Sequence, residues 1–358
     1  MKAVVRSRPD MLGVEVMDVP YPKLRPGWVI VRVKACGICG SDIASVYSSP
    51  AHFEEARTRF ALDTPYMTMG HEYAGEVAEI GEGVTDVNVG DHVTVNPWFW
   101  NACGKCSACL AYRPYDCRSP IRVPRSGGMA EYTSAPASFI HKLPTNLPWD
   151  DGALIEPFTI TFAAVYDFSS FRVGKTAAVL GPGPIGLLVL AALKLSTPAF
   201  TVITGTSSDV SPRLEIAKKL GADVTINVDE EDPVKRVMEL TEGKGIEFVY
   251  EAAGVPLLSQ GLKMLAKEGE YTAIGHAHGD LHPIKLDSSD YMTLQRSWAK
   301  VNGMVLEKRS VWFTVIDLMK RRDLGLKPVI THHVSIDKAQ EGFELSRTQK
   351  SGKVIVNP

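Results

Sequence analysis

The segment KTAAVLGPGPIGLLVLAALK, residues 175–194, restricts the fold more than any other stretch of this chain. A short apolar run suited to a buried strand leads into Gly181, Gly183 and Gly186, and an apolar run of helical length follows. In that spacing the first glycine makes the tight turn, the second lets backbone approach a pyrophosphate, and the third lets helix pack on strand. Pro184 and Ile185 fall at the opening of the helix, whose N-terminus would face the phosphates. The alternation then repeats. FTVIT reads as strand, SPRLEIAKKLGAD as helix, VTINV as strand, DPVKRVMELT as helix, and IEFVYEAAG and GEYTAIG as strands. This order predicts an α/β fold built on a doubly wound parallel sheet of the Rossmann type.

In such sheets an acid about 20 residues past the fingerprint binds the ribose 2′-hydroxyl of NAD. Nineteen positions past Gly186 stands Gly205, and the strand end carries no acid. Thr206, Ser207, Ser208 and Arg213 offer donors for a 2′-phosphate instead, which tips the expectation towards NADP over NAD. Asp209 stays within reach of the ribose if the loop folds back, and a plain polar turn before a helix explains most of these side chains under either cofactor.

Upstream, short apolar runs such as VIVRVKAC and GDHVTVNP are bounded by Gly, Pro and Asp turns, the pattern of a strand-rich region. This part holds all six cysteines. Cys103, Cys106, Cys109 and Cys117 follow C-x2-C-x2-C-x7-C, with Gly104 and Lys105 letting the chain turn. Four thiolates around a tetrahedral ion make a closed structural zinc site. An iron–sulfur cluster and a redox pair are the alternatives; the known cluster spacings do not match, and no strand and helix bracket a lone C-x-x-C. A second group is Cys39, His71 and Glu72: one thiolate, one imidazole and one carboxylate, suited to a catalytic zinc with an open position. Singly, each is better explained as a core or locally satisfied side chain, and the combination is what points to a metal. Cys36 reads as a small buried residue.

Composition adds exclusions. A net charge of -2 with 22% charged residues gives no basic surface for nucleic acid or membrane, which leaves a small molecule as the expected partner. MKAVVRSRPD lacks the apolar run of a signal peptide, no stretch has the length of a spanning helix, and the expected location is cytoplasmic.

Taken together and in this order, C-G-x-C-G-S-D, G-H-E-x-x-G, the four-cysteine loop and the nucleotide fingerprint resemble the zinc-dependent medium-chain dehydrogenase/reductase family over nearly the whole chain. ALIEPFTITFAAVYDF is similar to the sorbitol (polyol) dehydrogenase branch. The resemblance implies a GroES-like catalytic domain, residues 1–156 and 305–358, around a Rossmann domain, residues 157–304. It implies catalytic and structural zinc, NAD(P), and a homotetramer or, failing that, a homodimer. Within the site it implies Ser41 as a hydroxyl relay and Asp42 as the acid orienting His71, while Glu72 and Glu156 divide between binding zinc and holding water. Where alcohol dehydrogenases carry a proton-relaying histidine this chain has Ala44, so the proton must leave through water or another group, Glu156 being one candidate.

The implied activity interconverts a secondary hydroxyl of a polyol or sugar-like compound and its ketone. Threonine-dehydrogenase-like and aldose 1-dehydrogenase activities are alternatives, and a non-catalytic zinc- and dinucleotide-binding relative is a different class. Leu306 stands where the polyol branch holds its substrate with an arginine; Arg296, Lys308 or Arg309 are the possible substitutes. Tyr47, His52 and Phe53 lie in a stretch that is either a substrate-side loop or a solvated helix. Trp98, Phe99 and Trp100 suit a substrate wall, a subunit contact or a core anchor, and His276, His278 and His282 suit a surface loop.

Overall fold

The computed structural model describes residues 1–59, 62, 64–97, 103, 106–111, 116–119, 126–254, 257–274, 286–304 and 306–358. Six parallel strands stand in the order Val224–Asn227, Phe200–Gly205, Thr176–Leu180, Ile246–Glu251, Leu265–Ala273 and Lys300–Gly303. Strand order reverses at Thr176–Leu180, and a crevice at such a switch point is where open α/β sheets bind ligands. Ala177, Ala178, Val179 and Leu180 are wholly buried, as a strand covered on both faces requires. The helix Pro184–Lys194 follows directly.

The long helix expected over SPRLEIAKKLGAD is shorter and broken. A turn at Val210–Leu214 precedes the helix Glu215–Lys219, because Ser211 is extended, with φ -130 and ψ 130. The residue before a proline, here Pro212, is pushed out of the helical region. The helices Leu258–Met264 and Ser288–Arg296 and the edge strand Lys300–Gly303 were not anticipated from the sequence.

A second sheet orders Ile330–Ser335, Lys353–Asn357, Trp28–Gly37, Glu72–Ile80, His92–Val95 and Ile140–Lys142, with Tyr132–Pro136 also paired to Trp28–Gly37. The last strand runs antiparallel to Trp28–Gly37, Ile355 facing Gly37. This pairing returns the chain's end to the strand that leads into Cys39. A small third sheet joins Glu15–Asp18, Lys2–Arg6 and Met67–Thr68.

The helix Trp149–Tyr166 forms the seam between the two large sheets. Ala153 packs with Ala35 and Ile355 of the second sheet, while Leu154, Ile155 and Phe158 share a core with Val179, Leu187 and Leu190 of the first. The expected division at 156/157 therefore falls inside one continuous helix. Among the described residues no helix is long and apolar enough to cross a membrane.

Candidate active site

Cys39 ends the approach from the strand Trp28–Gly37 and caps the helix Gly40–Val46, on which Ser41 and Asp42 sit. The Asp42 carboxylate closes the cap by accepting from the Cys39 N–H at 3.0 Å. Its other oxygen accepts from the Gly70 N–H at 3.3 Å and stands 3.5 Å from His71 Nδ1. One buried acid thus fixes the loop carrying Cys39 and the loop carrying His71 at once, and leaves the far nitrogen of His71 for a ligand.

The donor atoms of Cys39, His71 and Glu72 lie within 4.8 Å of one another. Burial alone would lower the pKa of His71, but the charges of Asp42 and Cys39 outweigh it and raise it well above the usual value. One thiolate, one imidazole and one carboxylate converging on a common point make a donor set that fits zinc. Glu156 is not part of that group. It is buried on the seam helix, and burial raises its pKa, with the charges of Glu72 and Glu307 adding to the rise and those of His71 and Lys353 opposing it.

Two buried charged residues were missed in the sequence, Lys353 beside these donors and Glu307 on the Glu156 side. Lys353 is buried, and its Nζ donates to both oxygens of Glu72 at 2.7 Å and to the Ile38 carbonyl at 3.1 Å. Desolvation would lower its pKa, yet Glu72 and Cys39 hold it above the ordinary lysine value. A lone lysine heading an otherwise apolar strand, KVIVN, was the available signal. Glu307, only 2% exposed, accepts from the Trp312 indole N–H, while its Oε2 is buried with no hydrogen-bond partner among the described residues. Burial pushes its pKa up to about 7 against the hydrogen bonds from its own backbone, Trp312 and Thr159. No pattern in MVLEKRS marked it.

The four-cysteine cluster is a separate unit. Sulfurs bound 2.3 Å from a tetrahedral zinc are about 3.8 Å apart. Here Cys103 and Cys109 are separated by 3.8 Å, Cys106 and Cys109 by 3.5 Å, and Cys106 and Cys117 by 3.9 Å. Gly104 and Lys105 lie outside the described residues, as do Trp98, Phe99, Trp100, His276, His278 and His282.

At the nucleotide end, a Cβ on Gly186 would stand 1.9 Å from the Gly181 carbonyl, while one on Gly183 meets nothing within 4 Å. That is the contrast the fingerprint needs: close packing at its third glycine and open approach at its second. Pro184 and Ile185 form the first turn of the helix capped by Gly183. Gly205 ends its strand, and Thr206 and Ser207 open the turn beyond it.

Arg213 does not face that turn. It is 8% exposed, its Nη1 donating to Asp209 Oδ1 at 3.0 Å and its Nε to the Ser351 carbonyl at 2.7 Å. Two of its donors are thus engaged inside the protein, which leaves the expectation that it binds a 2′-phosphate without support here. Asp209 is equally engaged, its second oxygen accepting from the Thr206 N–H and hydroxyl at 3.0 Å, so it does not turn to the ribose. A side chain at Gly205 would crowd the turn, since its Cβ would come 2.8 Å from Pro182 Cγ and 3.1 Å from Asp209 Cβ, so both neighbours would have to shift.

On the substrate side, Tyr47 donates its hydroxyl to Glu344, Phe53 is wholly buried in the core, and His52 is exposed on the helix Pro50–Arg59. The helix describes this stretch better than a substrate loop does. Lys308 pairs with Asp167 at 3.6 Å, and Arg309 donates to the Ser138 carbonyl at 2.9 Å, so neither is aimed at the metal group.

A parallel sheet with a dinucleotide turn, joined by one helix to a sheet bearing a three-donor metal group, defines a metal-dependent dehydrogenase. Residues 25–145 match the family model for the alcohol dehydrogenase GroES-like domain and residues 184–321 that for zinc-binding dehydrogenase. The chain belongs to the zinc-dependent medium-chain dehydrogenase family. It is 36% identical over 365 residues to L-threonine 3-dehydrogenase of Thermococcus kodakarensis, covering 100% of this chain and 98% of that one. It is 32% identical to sorbitol dehydrogenase of Halalkalibacterium halodurans, covering 100% and 99%. The solved structure of 2R,3R-butanediol dehydrogenase from Bacillus subtilis superposes with a TM-score of 0.82 at 29% identity, covering 100% and 99%.

Proposed function

We propose that this enzyme oxidises the secondary hydroxyl of a polyol or sugar-like substrate to a ketone, reversibly, with NAD(P) as hydride partner. The gathering of Cys39, His71 and Glu72 within 4.8 Å carries the reading. We divide the work between residues 1–156 and 305–358 for metal and substrate and residues 157–304 for the dinucleotide. Bound zinc supplies a Lewis acid for the alcohol oxygen, and the dinucleotide supplies the hydride acceptor. The chain's own residues do the rest. Asp42 orients His71, Ser41 takes the hydroxyl proton at its Oγ, and Glu156, whose burial favours its protonated form, passes a proton on in place of the histidine that Ala44 replaces.

The relatives named above act, by their names, at a carbinol of threonine, sorbitol or butanediol, and in each molecule the neighbouring carbon bears a hydroxyl or an amino group. A second reading, a threonine-like amino alcohol, draws support from the 36% identical relative. NADP and NAD should both be accepted, since Asp209 is spent on Thr206 and Arg213 and Asp229 on the Ser207 N–H. A dimer or tetramer is supported by the edge strand Lys300–Gly303, beside which Trp298 is 72% and Val301 48% exposed. A cytoplasmic setting suits six cysteines, none in a disulfide.

Initial rates of nicotinamide reduction over polyols, aldoses, L-threonine and simple secondary alcohols, with NAD and NADP in parallel, test this. Turnover of vicinal diols above the rest supports the polyol reading, preference for threonine the second, and silence on every alcohol with zinc present would sink both.

A further inference from the structure

Arg213 joins the two sheets through hydrogen bonds that are shielded from water. On one side lies Asp209, the knot of the turn at Thr206, 5% exposed and bonded to the Thr206 N–H and hydroxyl as well as to the guanidinium. On the other side lies the Ser351 carbonyl, 138 residues along the chain and two positions before Lys353. That short stretch has little freedom. The Gly352 N–H donates to Thr331 Oγ1 at 3.0 Å, and even a Cβ at Gly352 would stand 2.4 Å from the Val329 carbonyl. Lys353 then grips both oxygens of Glu72 among the metal donors. A second tie runs parallel, Ser208 Oγ donating to Gln349 Oε1 at 2.8 Å.

We propose that Arg213 is a positioning residue that couples occupancy of the ribose end of the dinucleotide site to the hold of Lys353 on Glu72 at the metal group. The inference rests on the dinucleotide and metal reading above. A ribose seated on the turn at Thr206–Ser208 presses on the hydrogen bonds that Asp209 shares with Arg213. Close-packed segments pass a displacement on rather than absorb it. Because coupling between two binding sites is reciprocal, a ligand at the turn alters metal affinity by the factor by which metal alters affinity for that ligand.

Adenosine 5′-monophosphate and adenosine 2′,5′-bisphosphate are suitable probes, since they carry the ribose end and no nicotinamide to reach the metal. The full chain, with Co2+ exchanged into the Cys39 site, is titrated against a competing chelator with and without each nucleotide. In the wild type the nucleotide that binds should change Co2+ affinity by about fivefold or more and displace the visible Co2+ bands. Arg213→Lys keeps a cation for Asp209 but lacks the second donor arm for Ser351; it should still bind the nucleotide, with the affinity ratio falling to about one. Should that variant not fold, Arg213→Gln replaces it. An affinity ratio of one in the wild type, an undiminished ratio in the variant, or failure of both nucleotides to bind the wild type by calorimetry would overturn the coupling. Lack of alcohol turnover would instead count against the functional reading and leave this ratio unaffected.

Discussion

Cys103, Cys106, Cys109 and Cys117 come from one stretch of fifteen residues, whereas Cys39, His71 and Glu72 come from two segments and lean on Lys353, 281 residues beyond Glu72. The first cluster satisfies itself: the Cys106 N–H donates to the Cys103 sulfur and the Cys103 N–H to the Cys117 sulfur, both at 3.3 Å. Four equal donors fill a tetrahedron and leave nothing for a substrate. The second depends on the whole fold, because Asp42, Lys353 and the seam helix must all be in place before its three unlike donors converge. A site meant to hold needs only local chain, while a site meant to react needs groups that only tertiary structure can bring together.

Substitution at each cluster should separate these roles. Cys39→Ser is expected to lower kcat/KM by more than about a hundredfold, beyond what loss of an outer partner of a metal ligand usually costs, with a small change in Tm. Cys103→Ser should do the reverse, lowering Tm while the molecules still folded at low temperature keep most of their activity. A thermal melt beside a rate assay decides it, and swapped phenotypes would exchange the two roles. Lys353→Met sharpens the contrast, since it strands the buried Glu72 carboxylate. A loss of about 3–5 kcal/mol in chemical denaturation is expected, with about a 10–100-fold drop in activity; an unmoved midpoint would mean that Glu72 does not rely on the lysine.

What was legible in the sequence follows the same division. The strand and helix alternation, the glycine turn and the four-cysteine loop are local patterns, and periodicity and spacing reveal them directly. Cys39, His71 and Asp42 were readable because each sits in a short motif. Lys353 and Glu307 were not, for a single charged residue reads as surface until packing shows it buried. The place of Arg213 was hidden for a related reason: sequence shows that a guanidinium is near a turn, and only the structure shows that Asp209 and Ser351 engage it from inside the protein. Pro212 likewise shortened a helix that the apolar pattern of SPRLEIAKKLGAD had extended.

The carboxyls carry the comparison further, because Glu72 has a lysine for both oxygens while Glu307 Oε2 has no hydrogen-bond partner among the described residues. The folded pKa of Glu307, about 7, lies above the value of about 4.3 for a free glutamate. Between those values the folded chain binds more protons than the unfolded chain. This residue's contribution therefore makes stability fall as pH rises from about 4.3 to about 7 and stay level above. Glu307→Gln should remove that fall, worth up to roughly 3 kcal/mol, from denaturation midpoints measured at pH 5 and pH 7.5. Identical slopes in variant and wild type would show that other groups set the pH dependence.

The smallest effect is expected at the nucleotide end, where Asp209 and Arg213 at the turn Thr206–Ser208 are bonded to each other and a second acid, Asp229, sits on the Ser207 N–H. With Asp209 paired to Arg213 and Asp229 held on the Ser207 N–H, the turn aims no uncommitted charge at either a ribose hydroxyl or a 2′-phosphate, so the wild type should separate NADP from NAD by less than about tenfold. Ser207 is exposed at the head of this turn, and its N–H donates to Asp229 Oδ2 at 2.7 Å. That bond is made by the backbone and survives a change of side chain. Ser207→Arg places a cation beside the turn without disturbing Asp209, and one charge-assisted contact with the phosphate should raise the NADP to NAD ratio of kcat/KM by about tenfold. If the ratio stays put, the 2′-position lies away from Ser207, and the reach of the cofactor along the strand end at Gly205 must be redrawn.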